Sequence, residues 1–484
     1  MPSRAVVWFR RDLRVADHPA LLAALDAADQ VVPVFVVDRD LLDGRPSGPN
    51  RRAFLHGALR SLARDLEVLG GRLLVREGDP VQVIPDVART FAAGAVYCSR
   101  DLTPYARRRD TAVERALGAD GRRLHALPGN YLSDLDELRT TGGDPLRIYS
   151  PFARAAKAEG WDDPVPAPGR VPVPDELGGA GPARFDLEGA VEITPPDPAA
   201  ALERLEWFAA NRVGGYGRDR NLMATDGTSR LSPYLRFGLV SPRQVAATVK
   251  APEVRGDGTR GKGRSAEHPR RAGDRETFVN ELLWRDFYAY VLYHRPESAW
   301  AHMRPEFAHF EFEDDPDGLA AWREGRTGYP LVDAGMRQLT GQGWVHNRAR
   351  LVVASFLTKH LLIDWRDGAR FFLQRLMDGD LPSNNGGWQW VAGTGTDAAP
   401  YYRIFNPVTQ AERFDPEGDY IRRWVPELAK LPAPAIFAPW QAAATDLEAA
   451  GVRLGTDYPR PIVDHRRARD RALSRFQEAS IHRR

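Results

Sequence analysis

The chain lacks several features that mark particular classes of protein. It has one cysteine, Cys98, among 484 residues, so no disulfide can form within the chain and a reducing compartment is expected. Its 67 basic and 65 acidic residues give a formal net charge of +2, so any nucleic-acid site must be a local patch. No apolar run is long enough to span a bilayer, and the one at the N-terminus is too short for a signal peptide. We therefore expect a cytoplasmic protein without membrane contact, in which Cys98 is a buried, inert thiol.

The first 130 residues or so alternate short apolar segments with segments of helical periodicity. This alternation predicts a parallel, doubly wound sheet whose ligands lie at the carboxyl ends of its strands. Asp17 is the expected N-cap of the first helix. Arg10 to Arg14 follow the first strand where a nicotinamide dinucleotide site would need glycines, so such a site is not expected. The predicted strands are residues 5–9, 31–37, 72–76, 95–99 and 123–127, and the predicted helices lie near residues 18–28, 51–69, 81–91 and 105–117.

The composition changes after this region. Prolines cluster between residues 161 and 200, which predicts an extended connector. Residues 255–275 are rich in glycine and arginine without periodicity, which is typical of a mobile loop. Helical patterns dominate the rest, at residues 199–211, 242–249, 277–294, 331–341, 346–363 and 365–377. We predict an α/β domain over residues 1–132, a connector over residues 133–198 and a large all-α domain over residues 199–484.

The segment from Asp378 to Arg413 is the most informative part of the sequence. It places tryptophan, tyrosine and phenylalanine among asparagine, aspartate, glycine and threonine. Rings offer flat apolar faces, amides and carboxylates fix the edge of a ligand, and glycines let the backbone approach closely. The mixture predicts a site for a polar, planar ligand, although composition alone does not identify it.

The order of these residues resembles the flavin-binding signature of the photolyase/cryptochrome family. Further segments resemble the same family in the same order, namely residues 7–14 (VWFRRDLR), 227–233 (GTSRLSP), 280–288 (NELLWRDFY), 328–334 (GYPLVDA) and 343–350 (GWVHNRAR). The resemblance covers essentially the whole chain and is to the microbial members that repair cyclobutane pyrimidine dimers. It implies a light-driven carbon–carbon lyase in which reduced, anionic FAD passes an electron to a dimer flipped out of UV-damaged DNA. The resemblance implies action as a monomer, independent of DNA sequence, without a metal or a protein partner.

The resemblance implies an FAD site. Hydroxyls and backbone amides at helix starts, as at Thr228 and Ser229, suit a pyrophosphate, although they would also suit an ordinary helix cap. Asp378 would lie near the flavin ring with Arg350 as its partner. Asn384 would face flavin N5, the alternative being an ordinary Asn-Asn-Gly-Gly turn. The full expected set is Tyr216, Thr228, Ser229, Arg230, Leu231, Ser232, Phe278, Trp344, Asn347, Arg350, Asp378, Gly379, Asp380 and Asn384.

A pocket for the dimer is also implied. Glu281 and Trp284 are three residues apart and share one helix face, so the carboxylate could grip a base edge while the indole covers the base plane. The alternative is that Trp284 packs in the core. Glu281 would also stabilise the dimer's radical anion. Contacts with DNA, by analogy, are expected from Arg220, Glu281, Trp284, Arg285, Asn347, Arg348, Trp390, Arg403 and Gln410.

Two tryptophans resemble an electron relay. Trp388 and Trp365 match the inner two of three residues through which family members reduce photoexcited, oxidised FAD. The outer position holds Phe312, and phenylalanine is too hard to oxidise. Trp322, Trp300 or a tyrosine would have to substitute.

The N-terminal domain resembles family members that carry a light-harvesting antenna. Asp38 and Asp101 are predicted at strand ends, and Arg51 and Arg52 open a following helix. The segment from Asp101 to Asp110, with Arg109, resembles that of members with a deazaflavin antenna. Ala106 stands where folate-carrying members have a glutamate, so 8-hydroxy-deazaflavin is expected before methenyltetrahydrofolate or FMN. The same residues would also suit surface caps and helix-dipole pairs.

Two rival functions remain within the family. A cryptochrome would signal rather than repair; the presence of Glu281, Trp284, Asn347 and Trp390, and the short stretch after residue 465, argue against it. A photolyase for pyrimidine–pyrimidone photoproducts needs a histidine pair. Here His346 is followed by Asn347, which favours dimer repair.

Overall fold

A computed structural model describes residues 2–44, 47–178, 187–251, 269–397, 400 and 403–481. They form two compact units. Unit 1 comprises Met1–Gly217 and Ser229–Pro296, and unit 2 comprises Arg218–Thr228 and Glu297–Arg484. The expected domain limits at residues 132 and 198 remain a prediction. In the described ranges, no helix is both long enough and apolar enough to cross a membrane.

Unit 1 contains a five-stranded, all-parallel sheet in the order β3-β2-β1-β4-β5. Its central strand pairs on one side with β2, where Trp8 lies opposite Val34, and on the other with β4, where Val7 lies opposite Tyr97. The strands are almost continuously apolar because helices cover the sheet. The predicted fold class is confirmed. The strands are β1 (Arg4–Phe9), β2 (Gln30–Val37), β3 (Leu74–Glu77), β4 (Ala95–Ser99) and β5 (Arg123–Leu127).

The helices of unit 1 begin mostly at prolines, whose fixed φ and missing N–H suit the first helical turn. The predicted loop at residues 255–275 lies outside the described residues up to 268, and from Pro269 onward the chain is helical. Helix α6 falls inside the predicted connector, which is irregular over residues 160–178 and 187–196. The helices are α1 (Pro19–Ala27), α2 (Arg39–Leu42), α3 (Pro49–Val68), α4 (Pro80–Thr90), α5 (Pro104–Ala119), α6 (Tyr149–Glu159), α7 (Pro198–Asn211), α8 (Tyr216–Asp219, ending in unit 2), α9 (Ser232–Phe237), α10 (Pro242–Lys250) and α11 (Pro269–His294).

The predicted cap of α1 is wrong. His18 is the N-cap, because its Nδ1 accepts a hydrogen bond from the Leu21 amide at 3.0 Å. Asp17 has a φ of 49° and is fully buried. Its carboxylate instead pairs with the guanidinium of Arg243 at 2.5 Å and accepts a hydrogen bond from Ser241. A buried charge needs such a partner, and this need decides where the Asp17 side chain points.

The segment around α9 and α10 is joined closely to the loop that follows the first strand. The amide of Leu13 donates to the Phe237 carbonyl at 3.0 Å, and the buried guanidinium of Arg14 donates to the Gly238 carbonyl at 3.1 Å. Gly238 has a φ of 69°, and a Cβ there would lie 2.4 Å from the Arg11 carbonyl oxygen. Only glycine permits this approach.

Unit 2 is helical around a large apolar cluster, and a smaller cluster contains Phe307, Phe310 and Phe476. The helix predicted over residues 346–363 is split, because α14 ends at Ser355 and a π-helical turn, Phe356–His360, follows. The run from Leu381 forms a helix, so the alternative of an Asn-Asn-Gly-Gly turn is wrong. The helices are α12 (Pro316–Glu324), α13 (Pro330–Gln342), α14 (Asn347–Ser355), α15 (Trp365–Arg375), α16 (Leu381–Ala392), α17 (Pro407–Phe414), α18 (Asp419–Trp424), α19 (Ala444–Ala450) and α20 (His465–Ile481).

Candidate functional site

Trp284 in α11 is held by a tyrosine that the sequence reasoning missed. The rings of Trp284 and Tyr149 stack with centroids 3.7 Å apart and planes 6° apart. The Tyr149 hydroxyl donates to the Asn280 carbonyl at 2.9 Å, one turn before Trp284. Both rings are only half-buried, so the alternative of a fully buried core tryptophan does not describe Trp284. Tyr149 opens α6, inside the segment predicted as a connector, so nothing in the sequence pattern singled it out.

The next two residues of α11 fix the helix to the chain that follows β5. Arg285 donates to the Asn130 carbonyl at 2.7 Å, and its guanidinium lies over the Tyr131 ring at 5.0 Å. Asp286 is fully buried and accepts from the amides of Leu132 and Ser133 at 2.9 and 3.0 Å. Burial raises the pKa of Asp286 to about 7. These contacts give Arg285 a structural role, and its expected contact with DNA remains a prediction.

The expected FAD residues of unit 1 fall into two groups. Tyr216 and Phe278 are buried and meet edge to face, with centroids 5.2 Å apart, so their rings pack in the core. The segment from Ser229 to Ser232 enters α9 through Arg230, which has a φ of 54°. A positive φ at a residue other than glycine costs about 1–3 kcal/mol and is typical of functional sites. Thr228 belongs to unit 2, so the expected set is divided between the two units.

Unit 2 brings Asp378 and Arg350 together, as the resemblance implied. Arg350 Nη2 lies 2.8 Å from Asp378 Oδ2, and its Nε donates to the Val345 carbonyl at 2.9 Å. The other carboxylate oxygen, Oδ1, is buried and accepts no hydrogen bond from any described residue. Asp380, two residues on, accepts from the Ser383 hydroxyl at 3.1 Å. A buried acceptor of this kind needs a donor from a ligand, because an unmet hydrogen bond costs about 1–3 kcal/mol.

Asn384 lies in the first turns of α16 with its amide nitrogen engaged. That nitrogen donates to the Ala369 carbonyl at 3.1 Å and to Asn385 Oδ1 at 2.9 Å. With both amide hydrogens used, Asn384 can offer a ligand only its carbonyl oxygen, which is an acceptor.

The two tryptophans expected to form the relay lie on different helices, Trp365 on α15 and Trp388 on α16. A Cβ at Gly368 would lie 2.2 Å from Trp388 Cη2, so the Trp388 ring packs on the α15 backbone one turn from Trp365. Trp322 meets Trp388 with centroids 6.1 Å apart but is fully buried, which places it poorly as an exit to solvent. Trp300 is 57% exposed. Phe312 stacks on His302, with centroids 5.9 Å apart.

Several of the expected DNA contacts cluster in unit 2. Arg348 lies over the Phe414 ring at 4.2 Å and donates to Asn221. Burial, then Arg220 and Arg413, lowers the pKa of Arg348, which shows that three guanidinium groups share this region. Such a cluster suits an anionic ligand. Of the remaining expected residues, Asn347 and Arg403 are exposed, Trp344 and Trp390 are half-buried, and Gln410 Oε1 is buried.

Two of the expected antenna residues, Asp38 and Asp101, lie just after the carboxyl ends of β2 and β4. Asp38 caps α2 and accepts a hydrogen bond from Tyr105, which the sequence reasoning missed. Asp101 lies 3.9 Å from Arg11, and although burial opposes it, Arg11 and Arg10 lower the pKa of Asp101. Arg51 and Arg52 are half-buried in the first turn of α3.

A cationic cluster lies beside these residues. The guanidinium carbons of Arg10 and Arg109 each lie 4.7 Å from the Trp8 ring centroid, and both groups pair with Asp110, at 2.6 and 2.8 Å. Ala106 is buried in α5 and donates its amide to Thr103. Strand-end loops of a doubly wound sheet are its usual ligand site.

The residues of unit 2 fit an FAD. The flavin ring carries an N–H group that would meet the buried Asp378 Oδ1, and Arg350 is a cation that offsets negative charge on the ring. Asn384 offers an acceptor rather than a second charge. No described cluster of His, Cys, Asp or Glu side chains could hold a metal ion.

Comparisons with known proteins agree with this geometry. Residues 5–169 match the family model for DNA photolyase, and residues 278–478 match that for the FAD binding domain of DNA photolyase. A deoxyribodipyrimidine photo-lyase of Agrobacterium fabrum is 39% identical over 483 residues, covering 97% of each chain. A bacterial class III photolyase from Agrobacterium tumefaciens superimposes with a TM-score of 0.90 at 37% identity, covering 99% of this chain and 98% of the other. A cryptochrome of Synechocystis gives a TM-score of 0.86 at 32% identity, covering 98% and 99%. The chain belongs to the DNA photolyase family.

Proposed function

We propose that the protein repairs cyclobutane pyrimidine dimers in DNA under light, as a carbon–carbon lyase. The observation that carries the proposal is the half-buried face of α11, where Glu281 precedes Trp284 by one turn and Tyr149 fixes the indole plane. A carboxylate beside a fixed, half-exposed indole suits a base that is held by its edge and stacked on its face. The name of the 39% identical relative supports the same activity.

Bound FAD, when reduced and excited by light, would supply the electron that opens the cyclobutane ring. The residues of the chain bind and orient it. Arg350, held by Asp378, favours the anionic form of the ring. Asn384 presents its carbonyl oxygen as an acceptor for N5–H, the position that carries a proton in reduced flavin. Tyr216 and Phe278 support the fold around the segment from Ser229 to Ser232, which we assign to the phosphates.

The residues proposed for the pocket have different roles. Trp284 offers a face for stacking, and Glu281 forms a hydrogen bond with the dimer that holds it while it carries the extra electron. Trp390 and Asn347 are proposed as further residues that contact the dimer. Arg220, Arg348, Arg403 and Gln410 are proposed to bind the phosphates of DNA without regard to sequence. Arg285 is assigned to holding α11, because its guanidinium is engaged with Asn130 and Tyr131.

For the antenna we propose 8-hydroxy-deazaflavin at the strand-end loops of unit 1. Asp38, Asp101 and Arg109 offer it carboxylate and guanidinium partners, together with Arg51 and Arg52. Ala106 cannot supply the carboxylate that folate-carrying members use. Uptake of deazaflavin, folate and FMN by the purified protein, followed by absorption, tests this; uptake of folate without deazaflavin would overturn it. We further propose that the protein acts as a monomer, and that residues 132 and 198 mark its domain limits.

The rival functions remain testable. The likeness to a cryptochrome concerns the fold, which both classes share. The pyrimidine–pyrimidone alternative would use His346 in acid–base work, but Nδ1 of His346 caps α14 by accepting from the Arg348 amide at 3.1 Å. That hydrogen bond leaves this nitrogen unable to take part.

Repair assays in light and dark, on oligonucleotides carrying each lesion, separate these functions. Glu281→Ala should lower repair yield more than affinity, because its hydrogen bond strengthens once the dimer carries an electron. The matched control is Glu276→Ala, an exposed carboxylate on the same helix whose partner is Lys157, at 2.7 Å. It should change neither quantity. Absence of light-dependent repair of cyclobutane dimers by the FAD-loaded protein would overturn the proposal.

A further inference from the structure

We propose that His302 takes the indole proton of Trp365 when that tryptophan is oxidised during photoreduction of the flavin. A neutral indole radical is then held inside unit 2 although the outer tryptophan of the relay is replaced by Phe312. The inference rests on the proposed function, because the oxidant is light-excited, oxidised FAD.

The geometry that carries this inference is one hydrogen bond. Trp365 is fully buried, and its Nε1–H donates to Nδ1 of His302 at 3.3 Å. His302 is only half-buried, so the imidazole links a ring without solvent contact to one that water can reach. The Phe312 ring stacks on the imidazole with planes 20° apart, which fixes its orientation. Phe312 therefore cannot pass an electron but holds the group that receives the proton.

The surroundings of His302 keep its imidazole unprotonated before Trp365 is oxidised. Burial, followed by the charge of Arg366, lowers its pKa to about 4, while Asp364 raises it. The imidazole is neutral at pH 7, and acceptance at Nδ1 places its own hydrogen on Nε2. Arg366 also lies over the Trp365 ring at 5.5 Å. A positive charge on that buried ring is disfavoured by the guanidinium and by the lack of water.

The step balances in electrons and protons. Trp388 loses one electron to the excited flavin, and Trp365 returns one electron to Trp388. The Nε1–H bond of Trp365 breaks, since an indole that has lost an electron is far more acidic, and the proton bonds to Nδ1 of His302. The products are a neutral indole radical and an imidazolium near Asp364. Return of one electron and the proton restores both rings.

Neutralising Trp365 should delay charge recombination. A cation radical in a buried ring has a strong electrostatic drive to recover its electron. Once the proton has left, recovery requires proton and electron to return together. Proton transfer to His302 thus allows the radical to persist on Trp365, although the sequence lacks an outer tryptophan.

Transient absorption of the FAD-loaded protein tests the proposal, because neutral and cationic indole radicals absorb at different wavelengths. Wild-type protein should form the neutral radical, more slowly in deuterated water. His302→Phe should lose the neutral radical and retain a short-lived cation radical. His302→Gln, which keeps an acceptor oxygen but no base, should behave like His302→Phe. The matched control is His309→Phe, the same change at an exposed histidine, which should match wild type.

Equal neutral-radical yields in wild type and both His302 variants would overturn the proposal, as would absence of the neutral radical from wild type. Flavin absorbance of each variant shows whether it folds and binds FAD. Dimer repair by chemically reduced wild-type protein is measured in parallel, because it does not use the relay. Loss of that repair would count against the proposed function, whereas the radical measurement would still decide the role of His302.

Discussion

Replacing Tyr149 by alanine should weaken binding of a dimer-containing oligonucleotide, although Tyr149 itself is not expected to contact the DNA. The Tyr149 ring holds the Trp284 indole in one plane at a centroid distance of 3.7 Å. Without that ring the indole samples other rotamers and must be ordered on binding, at a cost of about 0.5–1.5 kcal/mol. At about 1.4 kcal/mol per tenfold, the dissociation constant should rise roughly 2- to 12-fold.

The change in the dissociation constant for Tyr149→Ala should be compared with the change for Trp284→Ala. Stacking of a base on an aromatic ring contributes about 1–3 kcal/mol, so Trp284→Ala should raise the dissociation constant roughly 5- to 140-fold. In the Trp284→Ala background, Tyr149→Ala should cost nothing further, because there is no indole left to orient. Tyr149→Phe keeps the stack and loses the hydrogen bond to the Asn280 carbonyl. It should lower the free energy of unfolding by about 0.5–1.5 kcal/mol while leaving affinity unchanged.

Fluorescence anisotropy titrations at one fixed salt concentration, on damaged and undamaged oligonucleotides, give the dissociation constants of wild type and the four variants. Salt must be fixed because phosphate contacts set most of the affinity. An undiminished affinity in folded Tyr149→Ala would refute the reasoning. So would an equal loss in the Trp284→Ala background, since the tyrosine would then contact DNA itself.

Three further outcomes are expected. Asn384→Ala should shorten the time for which reduced flavin survives in air, because the acceptor proposed for N5–H is lost; survival equal to wild type refutes the role. Phe312→Trp should raise the yield of photoreduction but not repair turnover, measured by transient absorption and a repair assay; equal radical lifetimes would mean that another donor already completes the relay. Because burial raises the pKa of Asp286 to about 7, its native carboxyl binds more protons than the unfolded one between about pH 4 and 7, so its contribution to stability falls as pH rises through that window. The difference in unfolding free energy between wild type and Asp286→Asn should therefore change with pH across this window, and a constant difference would contradict it.

Local patterns predicted the regular elements well, and long-range pairing explains what they missed. The strands of the sheet and helices such as α7 and α10 follow from periodicity and from prolines at their first turns. The cap of α1 was assigned to Asp17 because local rules see a carboxylate before a proline. They take no account of Arg243, which is more than 200 positions away in the sequence and forms an ion pair with that carboxylate.

The same limit applies to the candidate site. The pairing of Arg350 with Asp378 came from family resemblance and not from periodicity, and the structure places the two within 2.8 Å. Tyr149 and His302 could not have been found by either route. Their partners lie 135 and 63 positions away, and each contact depends on how two segments distant in the sequence pack. Sequence spacing reports neighbours within an element, whereas these contacts lie between elements.

The contacts between the loop after the first strand and the α9–α10 segment have a consequence for synthesis of the chain on the ribosome. The buried charges of Asp17 and Arg14 find their partners in Arg243 and Gly238, and residues 132 and 133 find theirs in Asp286. At 5–20 residues per second, the roughly 170 residues between β5 and the end of α11 emerge over about 8–35 s. During that interval the carboxylate of Asp17 lacks Arg243, and the amides of residues 132 and 133 lack the Asp286 carboxylate. If a ribosome stalls between these points, the chain has all five strands of the sheet but lacks the later residues that pair with these polar groups.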